Sequence, residues 1–141
     1  QQMLDALGSI IGVLTFAVAA LGGISLLVGG VGIFTIMTIA VRERTHEIGL
    51  LRAIGAPKYR ITQLFLGEAM VLAGLGGAGG LLLTITIVVI TTWIVPNFPA
   101  QIPLLYASLS EITAVTIGVA AGLMPARRAA SLVPLEALRA G

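Results

Sequence analysis

The side chains that could carry out chemistry are few, and their spacing matches no catalytic arrangement. The chain holds eight Lys and Arg, six Asp and Glu, one His and no Cys. No two carboxylates are spaced as an acid–base pair, and no group of residues has metal-ligand spacing. The glycines within residues 74–80 lack the following Lys-Ser/Thr of a phosphate-binding loop, so we predict that they pack helices together. His46 has no partner in view and is expected to be an exposed helix residue. We therefore predict a non-catalytic chain.

The composition indicates a membrane protein. Of the 141 residues, 57% are hydrophobic and only 10% are charged, and the mean hydropathy is +1.08. Soluble domains carry about 25% charged residues. The fold class is therefore predicted to be all-α and integral to the membrane. The net charge of +2 is explained by basic loops that orient helices, so no nucleic-acid partner is expected.

Three apolar blocks define the expected membrane-spanning helices. Uncharged runs occupy residues 6–41, 69–110 and 112–126. A bilayer core of about 30 Å requires roughly 20 helical residues. We predict spanning helices near 14–41, 64–94 and 107–126, with a loop at 95–106 between the second and the third. The first block is too long for one crossing, so residues 1–13 are predicted to form a stalk extension outside the membrane.

The basic residues predict the orientation. They lie in the segment 42–60 and in the tail 127–141, whereas the loop between the second and third spans has none. By the positive-inside rule both basic segments are cytoplasmic, with Arg127, Arg128 and Arg139 as anchors and the N-terminus outside. Because the chain begins without Met and without a signal peptide, we expect it to be part of a longer protein with an earlier span.

Small residues recur at helix-packing spacing in every predicted span. The first span carries Gly22, Ser25, Gly29 and Gly32, the second Gly76 and Gly80, and the third Ala114, Gly118, Gly122 and Ala126. Small residues let helix backbones approach closely in lipid. Packing within the chain, a dimer interface, and a helix interface that slides during transport would all give this pattern. The first span is the strongest candidate for a dimer interface.

Ionisable residues are expected to be scarce within the spans. We expect only Glu68 to come near one, at the start of the second helix, where the helix dipole favours an acid. A contact between Glu68 and the cytoplasmic segment is the alternative. The sequence indicates no proton relay, and the lack of polar lining argues against a passive channel.

The segment 42–60 is predicted to contain a short helix. Residues 47–54 place Ile48, Leu51 and Ile54 roughly on one side, Gly55 offers a C-terminal cap, and Pro57 suits the first turn of the next helix. Such a helix could dock on a cytosolic partner. A solvated turn at the membrane surface is the alternative. The residues of this segment alone do not decide between the docking helix and the solvated turn.

Several strings of residues then resemble one family. RERTHEIGLLRAIGA, from Arg42 to Ala56, resembles the ERTxEIGxxxAxGA signature of FtsX-like, MacB-type ABC permeases. Further resemblances, in the same order along the chain, are ISLLVGGVG at 24–32, FLGEA at 65–69, PARRAA at 125–130 and PLEALR at 134–139.

The resemblance implies an architecture and partners. Such permeases have four spans with a large extracytoplasmic domain after the first, so this chain would supply spans two to four. Two permease copies, as a homodimer or a related heterodimer, would pair with two ATPase domains, fused or separate, that bind ATP and Mg²⁺. The present chain itself would bind no cofactor. The resemblance assigns contact with the ATPase to these residues: Glu43, Arg44, Thr45, Glu47, Ile48, Leu51, Ala53, Ile54, Gly55 and Ala56.

The resemblance also implies a function in the bacterial inner membrane. ATPase movement would pass through a coupling helix and the stalk to export or extract an antibiotic, peptide, lipid or lipoprotein, with a periplasmic adaptor as a further partner. The alternative is a signalling scaffold that activates a cell-wall hydrolase. In either case the membrane anchors would be Arg127, Arg128 and Arg139, with contact to the ATPase or to anionic lipid as a possible second role.

Overall fold

The computed structural model describes residues 2–95 and 102–132, with side chains from Met3 onward, and this part of the chain is helical throughout apart from short connections. The four helices are α1 (Gln2–Glu43), α2 (Thr45–Ala53), α3 (Lys58–Ile94) and α4 (Leu104–Ser131). The all-α prediction is confirmed. Helices α1, α3 and α4 are long and apolar enough to cross a membrane, so the chain is a membrane protein with three candidate spans.

Helix α4 lies between the other two long helices. It packs most extensively on α3, less on α1, and α1 and α3 touch only slightly. Gly118 lies against Ala73 and Gly122 against Ala69, so α3 and α4 run antiparallel. Gly30 of α1 faces α4, and these two helices run in the same direction.

Two glycines allow the close contact between α3 and α4. A Cβ atom added at Gly122 would lie 2.5 Å from the Ala69 Cβ, and one at Gly118 would overlap the Ala73 Cβ. An alanine methyl has no torsion that could move it away, so the helices would have to separate. The small residues of α3 and α4 therefore fix the distance between the two backbones.

The buried core lies at the end of the bundle that carries α2, which we call the α2 end. Phe65 and Met37 are its largest fully buried side chains. The complete cluster comprises Met37, Val41, Ile48, Ile61, Phe65, Ala69, Ala126, Ala129 and Ala130. Because α1, α3, α4 and the short α2 all contribute, the three candidate spans are held together most firmly at this end.

The rest of the long helices is apolar and exposed. In α1 every described side chain from Met3 to Gly29 is exposed. Lipid is as apolar as these side chains, so exposure of this kind is expected in a membrane. The 42 residues of α1 reach about 63 Å at roughly 1.5 Å per residue, about twice the hydrocarbon thickness. The placement of residues 1–13 outside the membrane stays a prediction.

Helix α4 is longer than its predicted span of 107–126. It begins at Leu104 and continues through Pro125 to Ser131. Proline removes one helical N–H, but Pro125, Ala126, Ala129 and Ala130 are buried, so core packing holds the helix together past this point. Pro96, Pro99 and Arg139 lie outside the described residues, as do half of the predicted loop and most of the predicted tail.

Candidate functional site

Helix α2 follows α1 after a single non-helical residue. The Arg44 N–H still donates to the Ala40 carbonyl at 3.0 Å, and the Ile48 N–H donates to the Arg44 carbonyl at 3.0 Å. The Thr45 hydroxyl donates to the Arg42 carbonyl at 2.8 Å. Because the backbone hydrogen bonds continue across the junction, α2 is connected to α1 without a flexible linker.

The other end of α2 is closed by a Schellman motif. The Ala56 N–H donates to the Leu51 carbonyl at 3.0 Å, and the Gly55 N–H donates to the Arg52 carbonyl at 3.1 Å. Gly55 has a φ of 95°, a conformation that glycine adopts without strain. The predicted cap is therefore present. Pro57 is the N-cap residue of α3, one position before the predicted first turn.

The Arg52 side chain strengthens this turn. Its Nη1 donates to the Ala56 carbonyl at 2.9 Å, which places the guanidinium across the chain reversal between α2 and α3. The Arg52 Nε is shielded from solvent and has no hydrogen-bond partner among the described residues. The turn thus has both backbone and side-chain support.

One face of α2 is fastened to the core. Ile48 is 2% exposed and belongs to the same cluster as Phe65 and Ile61, while Gly49 is also buried. The structure therefore gives Ile48 a role as an anchor of α2 within the chain. It leaves little Ile48 surface for the direct ATPase contact that the resemblance assigns to it.

Beyond Ile48, the apolar side chains of the α2 region are uncovered. Ile54 is 76% exposed, Tyr59 60% and Leu51 42%. These side chains stand among Glu47, Arg52, Lys58 and Arg60 in the sequence, so they lie where charged groups must reach water or lipid headgroups. Exposed apolar side chains rimmed by charges are typical of surfaces that contact a protein partner or the membrane.

The remaining residues assigned to ATPase contact share this surface. Glu43, Arg44, Glu47, Ala53 and Gly55 are exposed, and Thr45 and Ala56 are half-buried. Apart from Ile48, all the assigned residues thus have some accessible surface at the α2 end. Contact with a second protein remains a prediction for each of them.

A small groove separates α2 from the start of α3. Its volume is about 150 Å³, and a cavity of roughly 150 Å³ holds one benzene-sized group. Leu51, Leu64 and Phe65 form much of its apolar floor, with Arg44, Glu47 and Arg60 at its polar edges. The groove could receive one apolar side chain of a partner.

Glu68 forms an ion pair that joins the α1–α2 junction to α3. The Arg44 Nη1 lies 3.4 Å from the Glu68 Oε2, and the two side chains are 49% and 35% exposed. Of the two interpretations of Glu68, the structure supports contact with the segment that contains α2. An exposed pair of this kind contributes about 0–1 kcal/mol. Its role is therefore to orient the α1–α2 junction relative to α3 rather than to hold the two together.

Glu111 is an ionisable residue that the sequence reasoning missed. It lies within α4, inside the predicted third span, and its carboxyl packs on Gly77 with Gly74 nearby. Its Oε2 is shielded and has no hydrogen-bond partner among the described residues. The expectation that only Glu68 comes near a span is therefore wrong. The signal was present, because Glu111 separates two of the uncharged runs.

The predicted packing residues fall into two groups. Gly118 and Gly122 lie in the contact between α3 and α4, as does Gly74 more loosely. In contrast, a Cβ added to any glycine of the second group would meet nothing within 4 Å: Gly22, Gly29, Gly32, Gly76 and Gly80. Ser25 is likewise exposed. This second group is open to lipid or to another helix, and a dimer interface there stays a prediction.

The basic residues near the end of α4 are helical and exposed. Arg127 and Arg128 follow the buried Pro125 and Ala126 and point away from the core. This position suits anchoring at a headgroup layer. His46 is exposed as expected. Among residues 2–95 and 102–132, no group of His, Asp or Glu could hold a metal ion.

Comparison with known proteins identifies the family. The model of the FtsX-like permease C-terminal family matches residues 19–134. The macrolide export ATP-binding/permease protein MacB of Bradyrhizobium diazoefficiens is 40% identical over 125 residues, which are 89% of this chain and 19% of that protein. The protein of the same name from Neisseria meningitidis serogroup A is 40% identical over 131 residues, 90% of this chain and 20% of that protein.

The chain thus spans about a fifth of the length of these relatives. The matched region begins within α1 and contains the whole of α2, α3 and α4. The chain belongs to the FtsX-like permease family and corresponds to its C-terminal membrane domain.

Proposed function

We propose that this chain is the force-transmitting membrane part of an ATP-driven exporter in the bacterial inner membrane, with α2 as its coupling helix. One observation carries the proposal: α2 is fixed to the core on one face by Ile48 and exposes Leu51 and Ile54 on another. The partner is an ABC ATPase domain, which supplies the ATP and Mg²⁺ sites. The relatives' names, which join ATP binding to a permease, support this partner.

The energy of docking would come mainly from apolar burial. Covering a large aliphatic side chain contributes about 1.5–3 kcal/mol, and Ile54 is 76% exposed before docking. The groove beside Leu51 and Phe65 would accept one apolar side chain from the ATPase. Glu47, Arg52 and Arg60 would form the polar rim that fixes the orientation of the partner.

Movement of the ATPase would reach the spans through α2 itself. The continuous junction with α1 and the Schellman turn into α3 leave α2 little freedom to move alone. Pulling Ile48 out of the core would cost about 1.5–3 kcal/mol, whereas the Arg44–Glu68 pair contributes less. A displacement of α2 would therefore carry the ends of α1 and α3 with it, and α4 would follow through its glycine contacts.

Orientation, assembly and substrate complete the proposal. The positive-inside rule places the α2 end in the cytoplasm and the start of α1 outside. A second permease copy would pack on the open glycines of α1, and a periplasmic adaptor would bind outside. The relatives are named for macrolide export, which favours export of an antibiotic over activation of a cell-wall hydrolase.

The test compares two isoleucines of similar exposure at opposite ends of the bundle. Ile54 is 76% exposed at the α2 end, and Ile94 is 72% exposed at the end of α3. In the complete transporter in lipid nanodiscs, Ile54→Asp should weaken docking by about 2 kcal/mol or roughly 30-fold. ATP hydrolysis should then fall to the rate of the ATPase domain alone, whereas Ile94→Asp should preserve it. Equal hydrolysis by both variants would contradict the proposal.

A further inference from the structure

The side of α4 that points away from the core carries a shallow depression beside its two arginines. The depression has a volume of about 450 Å³. Its lining, which we call the α4 arginine face, comprises Ala120, Leu123, Met124, Arg127, Arg128 and Ser131. The neighbouring Gly122, Ala126 and Ala129 are buried toward the core instead. Among residues 2–95 and 102–132, only α4 contributes to this face.

The length of α4 brings the arginines to a membrane boundary. From Leu104 to Arg127 the helix measures about 35 Å at roughly 1.5 Å per residue, slightly more than a hydrocarbon core of about 30 Å. If Leu104 lies at one boundary, Arg127 and Arg128 therefore lie in the headgroup layer of the other. Ala120 lies about two turns before Arg127, or ~10 Å toward the membrane interior. The face thus runs from headgroup depth to acyl-chain depth.

The two guanidinium groups are not neutralised within the described part of the chain. Both arginines are exposed, and the ion pair found among the described residues joins Arg44 to Glu68 instead. The Ser131 hydroxyl donates to the Arg128 carbonyl at 2.8 Å, so it offers no negative charge. The C-terminus of a helix carries about −0.5 charge, which two guanidinium groups outweigh. The face is therefore positive at one end and apolar at the other.

This combination suits an anionic phospholipid better than a protein. A second copy that met the face across a twofold axis would use the same face, so the arginines of both copies would repel each other. A cytosolic domain could reach Arg128 but not Ala120, which lies at acyl-chain depth. A phosphate matches the fork of donors on a guanidinium, and an acyl chain can cover Met124, which is 54% exposed.

We infer that the α4 arginine face binds an anionic phospholipid of the leaflet at the α2 end. Its phosphate pairs with Arg127 and Arg128, and one acyl chain lies along Met124 toward the membrane interior. Ala126 and Ala129, on either side of the arginines, belong to the buried core, so the lipid holds this end of the bundle at the headgroup layer. The inference rests on the membrane placement of α4 and not on the proposed ATPase partner.

Photolabelling of the full-length transporter in phosphatidylcholine nanodiscs tests the inference. Phosphatidylglycerol and phosphatidylcholine probes with the same photoreactive acyl chain are added in trace amounts, and labelled peptides are quantified by mass spectrometry. The control is an exposed apolar patch of similar volume, about 390 Å³, at the other end of the bundle, lined by Val89, Ile90, Trp93 and Ile94. The phosphatidylglycerol probe should label residues 120–124 about 30-fold more strongly, the effect of two arginines on an anionic lipid. Both probes should label residues 89–94 equally.

Variants separate a local site from the general positive charge at this end. Arg127→Gln with Arg128→Gln should abolish the preference for phosphatidylglycerol at residues 120–124, whereas replacement of both by Lys should retain most of it. Arg42→Gln with Lys58→Gln removes the same charge from exposed positions at the α2 end. This control should leave the preference unchanged.

Three results would overturn the inference. Equal labelling of residues 120–124 by both probes would mean that the face contacts bulk lipid without selecting it. Absence of labelling there by either probe would mean that a protein segment covers the face. An equal loss of preference in the Arg42 and Lys58 variant would assign the selection to surface charge in general. If the glutamine variant of Arg127 and Arg128 fails to insert, the two probes on the unmodified protein and on the control variant still decide.

Discussion

The contact between α3 and α4 predicts a large effect from a single methyl group at Gly118. A Cβ at this position would overlap the Cβ of Ala73 and would lie 3.3 Å from the Ile33 side chain and 3.5 Å from the Ala69 carbonyl. The Ile33 side chain can move, but the alanine methyl and the backbone oxygen cannot. Gly118→Ala must therefore push the two helices apart.

The magnitude follows from a matched control on α3. A Cβ at Gly79 would meet nothing within 4 Å, so Gly79→Ala changes only helix propensity, by up to about 1 kcal/mol in favour of the helix. Gly118→Ala gains the same helix propensity, but it also overpacks the contact between α3 and α4, which costs about 1–3 kcal/mol. The difference between the two variants should thus be about 1–3 kcal/mol, or roughly 5- to 150-fold in the population of the opened bundle.

The assay uses the absence of cysteine from this chain. A cysteine introduced at the fully buried Ala126 reacts with a maleimide only when the bundle opens, and the modified peptide can be quantified by mass spectrometry. Gly118→Ala should accelerate the reaction within the range above, and Gly79→Ala should not. Exchanging the methyl group, with Gly118→Ala and Ala73→Gly together, should slow it again relative to Gly118→Ala.

Equal reaction rates in the Gly118→Ala and Gly79→Ala proteins would refute this reasoning. The same conclusion would follow if the exchange of the methyl group failed to slow the reaction. Either result would mean that the bundle does not depend on close approach of α3 and α4 at this level.

Other predictions concern the α2 turn, the ion pair and the open face of α1. Gly55→Ala places a side chain at a φ of 95° and should cost about 1–2 kcal/mol, seen as faster hydrogen exchange of the Ala56 amide, whereas the unstrained Gly67→Ala should not change it. Reversing either charge of the Arg44–Glu68 pair should lower ATP hydrolysis by at most about fivefold, and reversing both should restore it. Gly29→Cys should form a disulfide between permease copies under oxidation while Gly79→Cys does not; equal yields would place the dimer interface elsewhere.

Much of the fold could be predicted because the membrane imposes simple rules. Runs without charge had to become helices, since a helix satisfies its own backbone in lipid. The short helix before Gly55 could be predicted as well, because a glycine after an amphipathic segment and a proline two residues later mark a turn between helices. The ends of α4 were less predictable, since the continuation past Pro125 depends on alanines that pack against other helices.

The site was only partly predictable because burial depends on tertiary contacts. Ile48, Leu51 and Ile54 share one side of a helical pattern, yet only Ile48 reaches the core that Phe65 and Met37 build. Spacing alone also could not tell Gly118, which touches α3, from Gly32, which is open. Glu111 stands between two uncharged runs, a position typical of the end of a span, whereas α4 continues through it from Leu104 to Ser131.

We propose above all that the exposed face of α2 docks on an ABC ATPase domain. A photoreactive amino acid at position 54 of the complete transporter, irradiated in native membranes, tests it directly, with position 94 as the control at the other end of the bundle. We expect crosslinks from position 54 to map to an ABC ATPase domain and those from position 94 not to do so. Crosslinks from position 54 only to lipid, or equal capture of the ATPase from both positions, would contradict it.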